Sequence, residues 1–311
     1  MQAPPTPLAA VDVGTNTVRM LVAVRDRRGL RPVLRMRRIT GMGRDLRETG
    51  AIGNRELRDS VAALRAFRRE IDRLGVGVSR ACGTAALRDA SNRDAFLAGA
   101  AAAGFRVDVI SPEEEARLTW AGVMGGKPAG GGAVVMDIGG GSTEFIAGPG
   151  RGESVSLPIG VVVLRDVFRL SDPPDPWQIR NLKYFLAERI AAGTRGLGRR
   201  RFRRLVGTAG TFTTLAALDM RMRTYRPERI DGYAMPAARV RAWEKRLCGL
   251  NAAAILALPG MEKGRERYMV PGICQAGEAM ARFGAARLEI SDAGLLEGII
   301  LGLPPAKQGG C

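Results

Sequence analysis

The chain has 311 residues, 46% of them apolar, with 48 Lys and Arg against 31 Asp and Glu; this is enough apolar material for a packed core and excludes a disordered tail or a fibrous linker. Histidine is absent, which excludes Ser-His-Asp triads, Cys-His dyads, phosphohistidine intermediates and His-ligated metals, and leaves Asp, Glu, Lys, Tyr or water as general base. The net charge of +17 implies either polyanionic partners (nucleic acid, anionic lipid, a phosphate-rich substrate) or the background of an arginine-rich proteome.

The length predicts two domains, with an active site in the cleft between them. Neither a long apolar run nor a basic start followed by an apolar stretch occurs, so no membrane span or signal peptide is expected. Cys82, Cys248, Cys274 and Cys311 are far apart in sequence and form no C-x-x-C pair, which predicts reduced thiols in a cytoplasmic protein rather than a zinc site or a disulfide framework.

In chain order, residues 9–24 alternate apolar and small or polar positions around a sharp turn at Gly14, Thr15, Asn16 and Thr17, the pattern of a two-stranded hairpin. Leu57, Val61, Leu64, Phe67, Ile71 and Leu74 recur every three or four residues and predict an amphipathic helix over 55–74. The glycine-rich stretch Gly125–Gly132 precedes the strand-like AVVMDI and marks a domain boundary, giving 1–124 and 125–311. A helix is expected to start after Asp175 and to run through Leu182, Phe185 and Ile190, since proline is tolerated in a first turn. The basic run Arg199–Arg204 follows, read as a solvated connection. Short apolar runs alternating with helical stretches predict an α/β fold.

The chain also repeats itself. VDVGTNTVRMLVAV from Val11 and VMDIGGGSTEFIAG from Val135 share strand, Asp, apolar residue, Gly, small polar run, strand, so one structural unit occurs twice, each copy with an Asp-x-Gly turn. A third small-residue loop, VGTAGTFTTLAAL, starts at Val206. Loops of this kind hold phosphate on successive backbone N–H groups, with hydroxyls as extra donors. The candidates are Gly14, Thr15, Asn16 and Thr17; Gly139, Gly140, Gly141, Ser142 and Thr143; and Gly207, Thr208, Gly210 and Thr211. Asp12, Asp137 and Glu144 stand at the strand ends and suit Mg²⁺, which takes one or two carboxylates with substrate phosphates and water. The plainer alternatives are Asx turn capping for the two aspartates and an outward-facing strand acid for Glu144.

Seven blocks in order, AAVDVGTNTVRMLVA, CGTAALRDASNRDAFL, VISPEEEARLTWAGV, VVMDIGGGSTEFI, SLPIGVVVLRDVF, VGTAGTFTTLAAL and LEISDAGLLEGIIL, resemble the exopolyphosphatase and guanosine pentaphosphate phosphohydrolase family. The resemblance implies the short two-domain form: two ribonuclease-H-like domains of the actin and sugar-kinase superfamily facing across a cleft, with a helix near 292–306 able to pack back on the first. It implies hydrolysis of terminal phosphoanhydride bonds in polyphosphate or guanosine penta- or tetraphosphate, dependent on Mg²⁺ (or Mn²⁺), with a homodimer left open; the hydropathy gives no membrane partner, and nucleic acid is the less favoured partner of the basic charge. Glu115 of EEEAR resembles the base that activates water, Arg88 a phosphate-binding arginine, and Asp12, Asp137 and Glu144 the acidic metal-binding set, Glu144 being catalytic as well. From the residues alone, Glu113–Glu115 are equally the acidic first turn of a helix after Ser111-Pro112, and Asn92 is either a supporting residue or a helix cap. Asp231, Arg267 and Leu296 depart from the family pattern. A kinase, or a non-catalytic alarmone- or polyanion-binding regulator on the same fold, remains the alternative function.

Overall fold

The computed structural model describes residues 6–27, 29–125, 132–148, 150, 152–197, 202 and 204–304. The chain divides into two compact units, Met1–Gly126 with Leu295–Cys311, and Lys127–Gly294. Of the expected basic run only Phe202 and Arg204 are described, and of the expected glycine-rich boundary only Gly125 and Gly132; Cys311 also lies outside.

Unit 1 begins with strands β1 (Leu8–Val13), β2 (Thr17–Asp26) and β3 (Gly29–Ile39), then a helical turn α1 (Leu46–Thr49), α2 (Asn54–Arg73), β4 (Val78–Gly83), α3 (Ala85–Asp89), α4 (Arg93–Ala102), β5 (Val107–Val109) and α5 (Pro112–Met124). The sheet order is β3-β2-β1-β4-β5, an antiparallel meander followed by two strands parallel to β1. Strand periodicity assigns the faces. Ala9, Val11 and Val13 of β1 pack with Leu64, Phe67 and Ile71 of α2 and Phe96 of α4. Leu8 and Ala10 face the other way, onto Leu118 of α5. Asp12 shares the parity of Leu8 and Ala10, so it lies on the α5 side of the sheet.

Unit 2 repeats the plan with β6 (Ala133–Ile138), β7 (Thr143–Ile146), β8 (Ser154–Leu157), α6 (Val161–Phe168), α7 (Pro176–Gly193), β9 (Arg204–Thr208), α8 (Ala209–Asp219), α9 (Pro227–Ile230), β10 (Tyr233–Pro236), α10 (Ala237–Cys248), α11 (Ala252–Leu256), α12 (Met269–Phe283) and β11 (Arg287–Ile290). Its order is β10-β11-β9-β6-β7-β8, with β6-β7-β8 antiparallel and β9 and β11 continuing parallel to β6. Both units thus have the ribonuclease-H-like topology. Asp175 caps α7 by accepting from Trp177 N at 2.7 Å, and Leu182 and Ile190 are fully buried along it.

The chain returns to unit 1 in α13 (Leu295–Leu301), whose Leu295, Leu296, Ile299 and Ile300 complete the cluster of Leu8, Ala10 and Leu118. Leu296, one of the family departures, is therefore core. No helix among the described residues is long and apolar enough to cross a membrane. Two cysteines distant in sequence are close in space: the Cys248 and Cys274 Sγ atoms lie 3.9 Å apart, brought together by α10 and α12. Cys82, Cys248 and Cys274 are free thiols.

Where α13 crosses α5, a Cβ on Gly298 would overlap the Leu118 carbonyl. Because that obstacle is helix backbone, Gly298→Val should destabilise the protein by about 2 kcal/mol through overpacking, read as a lower denaturation midpoint at unchanged m-value.

Candidate active site

The repeat in the sequence is a repeat in the backbone. Asp12 and Asp137 close β1 and β6, and two residues later the glycine N–H donates across the turn, Gly14 to Thr17 O and Gly139 to Ser142 O, both at 3.0 Å. Asp12 stands opposite Arg19 and Asp137 opposite Glu144, each seven residues on. On their other sides, Asp12 pairs with Cys82 and Asp137 with Thr208.

The side chains at these matching positions differ. In unit 1, Arg19 Nε and Nη2 donate to Asp12 Oδ2 at 2.9 and 2.6 Å, an arrangement that explains why Asp12 does not cap its own turn. Asp12 is 3% exposed, and its Oδ1 has no hydrogen-bond partner among the described residues. Burial pushes the neighbouring Cys82 thiol up to about 12, so it stays protonated at neutral pH and is no nucleophile.

In unit 2, Ser156, Glu144, Asp137 and Thr208 form one row across four strands, all on the same face of the sheet. Glu144 does not face water. It is 2% exposed and accepts from Ser156 Oγ at 2.7 Å. Two of the expected phosphate-binding hydroxyls donate within the protein: Thr208 Oγ1 to Ala293 O and Thr143 Oγ1 to Gln275 Oε1, both at 2.8 Å. Thr143 shares the parity of Phe145 and therefore sits on the core side. In the third loop Gly207 and Thr208 end β9, while Gly210 and Thr211 open α8. The Arg265 guanidinium lies against Gly210, where a Cβ would overlap Nη1, and Arg265 Nε is held by Glu262 at 2.7 Å.

Glu115 and Arg88 meet in unit 1. The acidic first turn of α5 divides by helical phase. Ser111 caps it by accepting from Glu114 N at 3.2 Å, Glu113 is exposed, and Glu114 accepts from Arg80 Nη2 at 2.8 Å. Glu115, a further 100° around the helix, accepts from Arg88 Nη1 at 2.8 Å, and the same Nη1 donates to Ile110 O at 3.0 Å. The two side chains are 12% and 18% exposed. Asn92 occupies a cap position without capping; its amide clasps Ile52, accepting from N at 2.9 Å and donating to O at 2.8 Å.

Two further charged residues at these loops, Arg19 and Arg265, escape sequence reasoning. Arg19 carries a signal, since its offset from Asp12 is that of Glu144 from Asp137; Arg265 carries none. Among the departures, Asp231 accepts from Ser291 Oγ at 3.0 Å and Asp292 N at 3.2 Å, and Arg267 is exposed in a short turn. No cluster of three or more acidic or cysteine side chains is gathered as a metal cage among the described residues. The register-paired carboxylates Asp137 and Glu144 nevertheless fit a hard cation that keeps water and substrate oxygens as its other ligands, and in unit 1 the unpartnered Asp12 Oδ1 is an oxygen of the same kind.

Two ribonuclease-H-like units, each opening on an Asp-x-Gly turn, define the class of fold to which such a site belongs. Within that class the description of the Ppx/GppA phosphatase family matches residues 21–306, and the chain belongs to this family. It is 33% identical to Exopolyphosphatase 2 of Mycobacterium tuberculosis over 96% of this chain and 98% of that protein. It is 28% identical to the guanosine-5'-triphosphate,3'-diphosphate pyrophosphatase of Aeromonas hydrophila over 95% of this chain and 59% of that longer protein. The crystal structure of the Aquifex aeolicus Ppx/GppA family member matches with a TM-score of 0.82 at 29% identity, covering 96% of this chain and 97% of that one.

The Arg88–Glu115 pair is 18% and 12% exposed, so removing one member costs the other a charged partner at low exposure. Arg88→Met should therefore cost about 2 kcal/mol of stability, and Arg88→Met/Glu115→Gln should recover part of it. A thermal double-mutant cycle measures the coupling, and strict additivity would show that the pair is not formed in solution.

Proposed function

We propose that the chain is a Mg²⁺-dependent phosphohydrolase that releases terminal phosphate from polyphosphate or guanosine pentaphosphate, with Glu115 as the general base. The observation that carries this reading is the 2.8 Å contact between Arg88 and Glu115, residues separated by 27 positions. A carboxylate and a planar phosphate-binding fork are thereby held side by side at low exposure.

Arg88 grips a phosphate oxygen with the guanidinium nitrogens that Glu115 does not occupy, and Glu115 orients a water and takes its proton as the water attacks the terminal phosphorus in line with the leaving phosphate. Turn N–H groups stabilise the oxygens on which negative charge develops. Asp137 and Glu144 would hold the cation, which when bound would neutralise charge on the substrate oxygens. The chain has no histidine, and among the remaining base types Glu115 is the carboxylate held beside a guanidinium. Polyphosphate is the first substrate to test, because the 33%-identical relative over nearly the full length is an exopolyphosphatase.

Glu115→Gln keeps the shape and loses the base, so kcat for phosphate release should fall by about 10²-fold or more with KM within a few-fold. Near-wild-type turnover would remove Glu115 from the mechanism. Asp137→Asn exchanges a charged ligand for a neutral amide and should raise the Mg²⁺ concentration for half-maximal rate; an unchanged titration would reduce Asp137 to a turn residue.

A further inference from the structure

The turn between β6 and β7 is anchored by its oxygens. Gly160 N donates to Gly141 O at 3.1 Å, Val161 N to Gly139 O at 3.0 Å and Val162 N to Gly140 O at 2.9 Å. These three donors precede or begin α6 and would otherwise lack intrahelical acceptors. A trans peptide plane points the C=O of one residue and the N–H of the next in opposite directions. Three carbonyls aimed at residues 160–162 therefore turn the N–H groups of Gly140, Gly141 and Ser142 the other way, as three successive donors on one side of the turn.

This depends on how closely the two segments approach. A Cβ at Gly160 would overlap the Gly140 carbonyl. The backbone of Gly160 is ordinary extended chain, φ −61° and ψ 159°, so its conformation is open to any residue and only the contact requires glycine. The first hairpin is held in the same manner: Gly43 N donates to Thr15 O at 2.7 Å, Thr40 N and Gly41 N to Asn16 O at 3.1 and 3.0 Å, and a Cβ at Gly43 would overlap the Thr15 methyl.

We infer that residues 160–162 are a carbonyl clamp that orients the phosphate-facing N–H groups of the Gly139–Ser142 turn, with Gly160 as its positioning residue. The inference rests on the reading that this turn holds substrate phosphate. Two variants of the full-length protein test it. Gly160→Ala pushes the turn away, and Val161→Pro deletes one clamp donor at the first position of α6, where proline leaves a helix intact and the extended Gly160 accommodates a following proline. Gly141→Pro removes a phosphate-facing N–H itself. Gly193→Ala is the control for strain, because the three atoms nearest its Cβ all belong to the Leu157 side chain and none to the backbone.

The readouts are KM and kcat for phosphate release from polyphosphate, the inhibition constant of inorganic phosphate, and the melting temperature. Gly160→Ala and Val161→Pro should each raise KM and the phosphate inhibition constant by about tenfold or more, the loss of roughly one hydrogen bond to a charged group, while Gly193→Ala stays at wild type. If Gly160→Ala fails to fold, Val161→Pro decides. Folded clamp variants with both constants within twofold of wild type overturn the clamp. If Gly141→Pro is equally silent, what falls is the reading of the turn as a phosphate site.

Discussion

A peptide plane cannot aim its oxygen and its hydrogen at the same neighbour, and the design of both units follows from that constraint. A turn that offers N–H groups to an anion must place its carbonyl oxygens elsewhere. In this chain residues 40–43 accept that task for the first hairpin and residues 160–162 for the second. The strands beneath then fix what stands beside each turn, because cross-strand register sets Asp12 against Arg19 and Asp137 against Glu144. Glycine serves these sites twice over, within the turns and in the segments that hold them.

The helices contribute through phase. Of three consecutive glutamates in α5, the one that pairs with Arg80 is Glu114, and the one that reaches Arg88 is Glu115. The 100° step of the helix separates a structural acid from a candidate catalytic one without any change of residue type. The β1 parity that buries Leu8 and Ala10 against Leu118 of α5 also sets Asp12 on the helix side of the sheet that carries Glu115.

Much of this was legible in the sequence where the signal is local and periodic. The hairpin at 9–24, the helix at 55–74, the Asp175 cap and the twofold Asp-x-Gly pattern are set by neighbours a few residues away, and the structure contains them. What was not legible depends on contacts between distant segments. Nothing near Arg88 announces its pairing with Glu115, nor does anything near Cys248 announce Cys274. Thr143 reads as a phosphate hydroxyl until the pleat turns it toward Gln275, and Leu296 reads only as a departure from the family pattern until α13 packs it into the core. Composition was the weakest guide, since arginines such as Arg35, Arg80 and Arg204 are spent on Glu297, Asp108 and Glu289, so net charge says little about where an anion would bind.

The offset of seven residues has a meaning for how such folds diversify. Two hairpins with matching turns carry opposite charges at one pleat position: Asp12 with Arg19 sums to neutrality, and Asp137 with Glu144 to a double negative. The backbone of a duplicated unit can therefore stay symmetric while the charge beside its turn divides, and a single exchange at that position changes that charge without touching the turn.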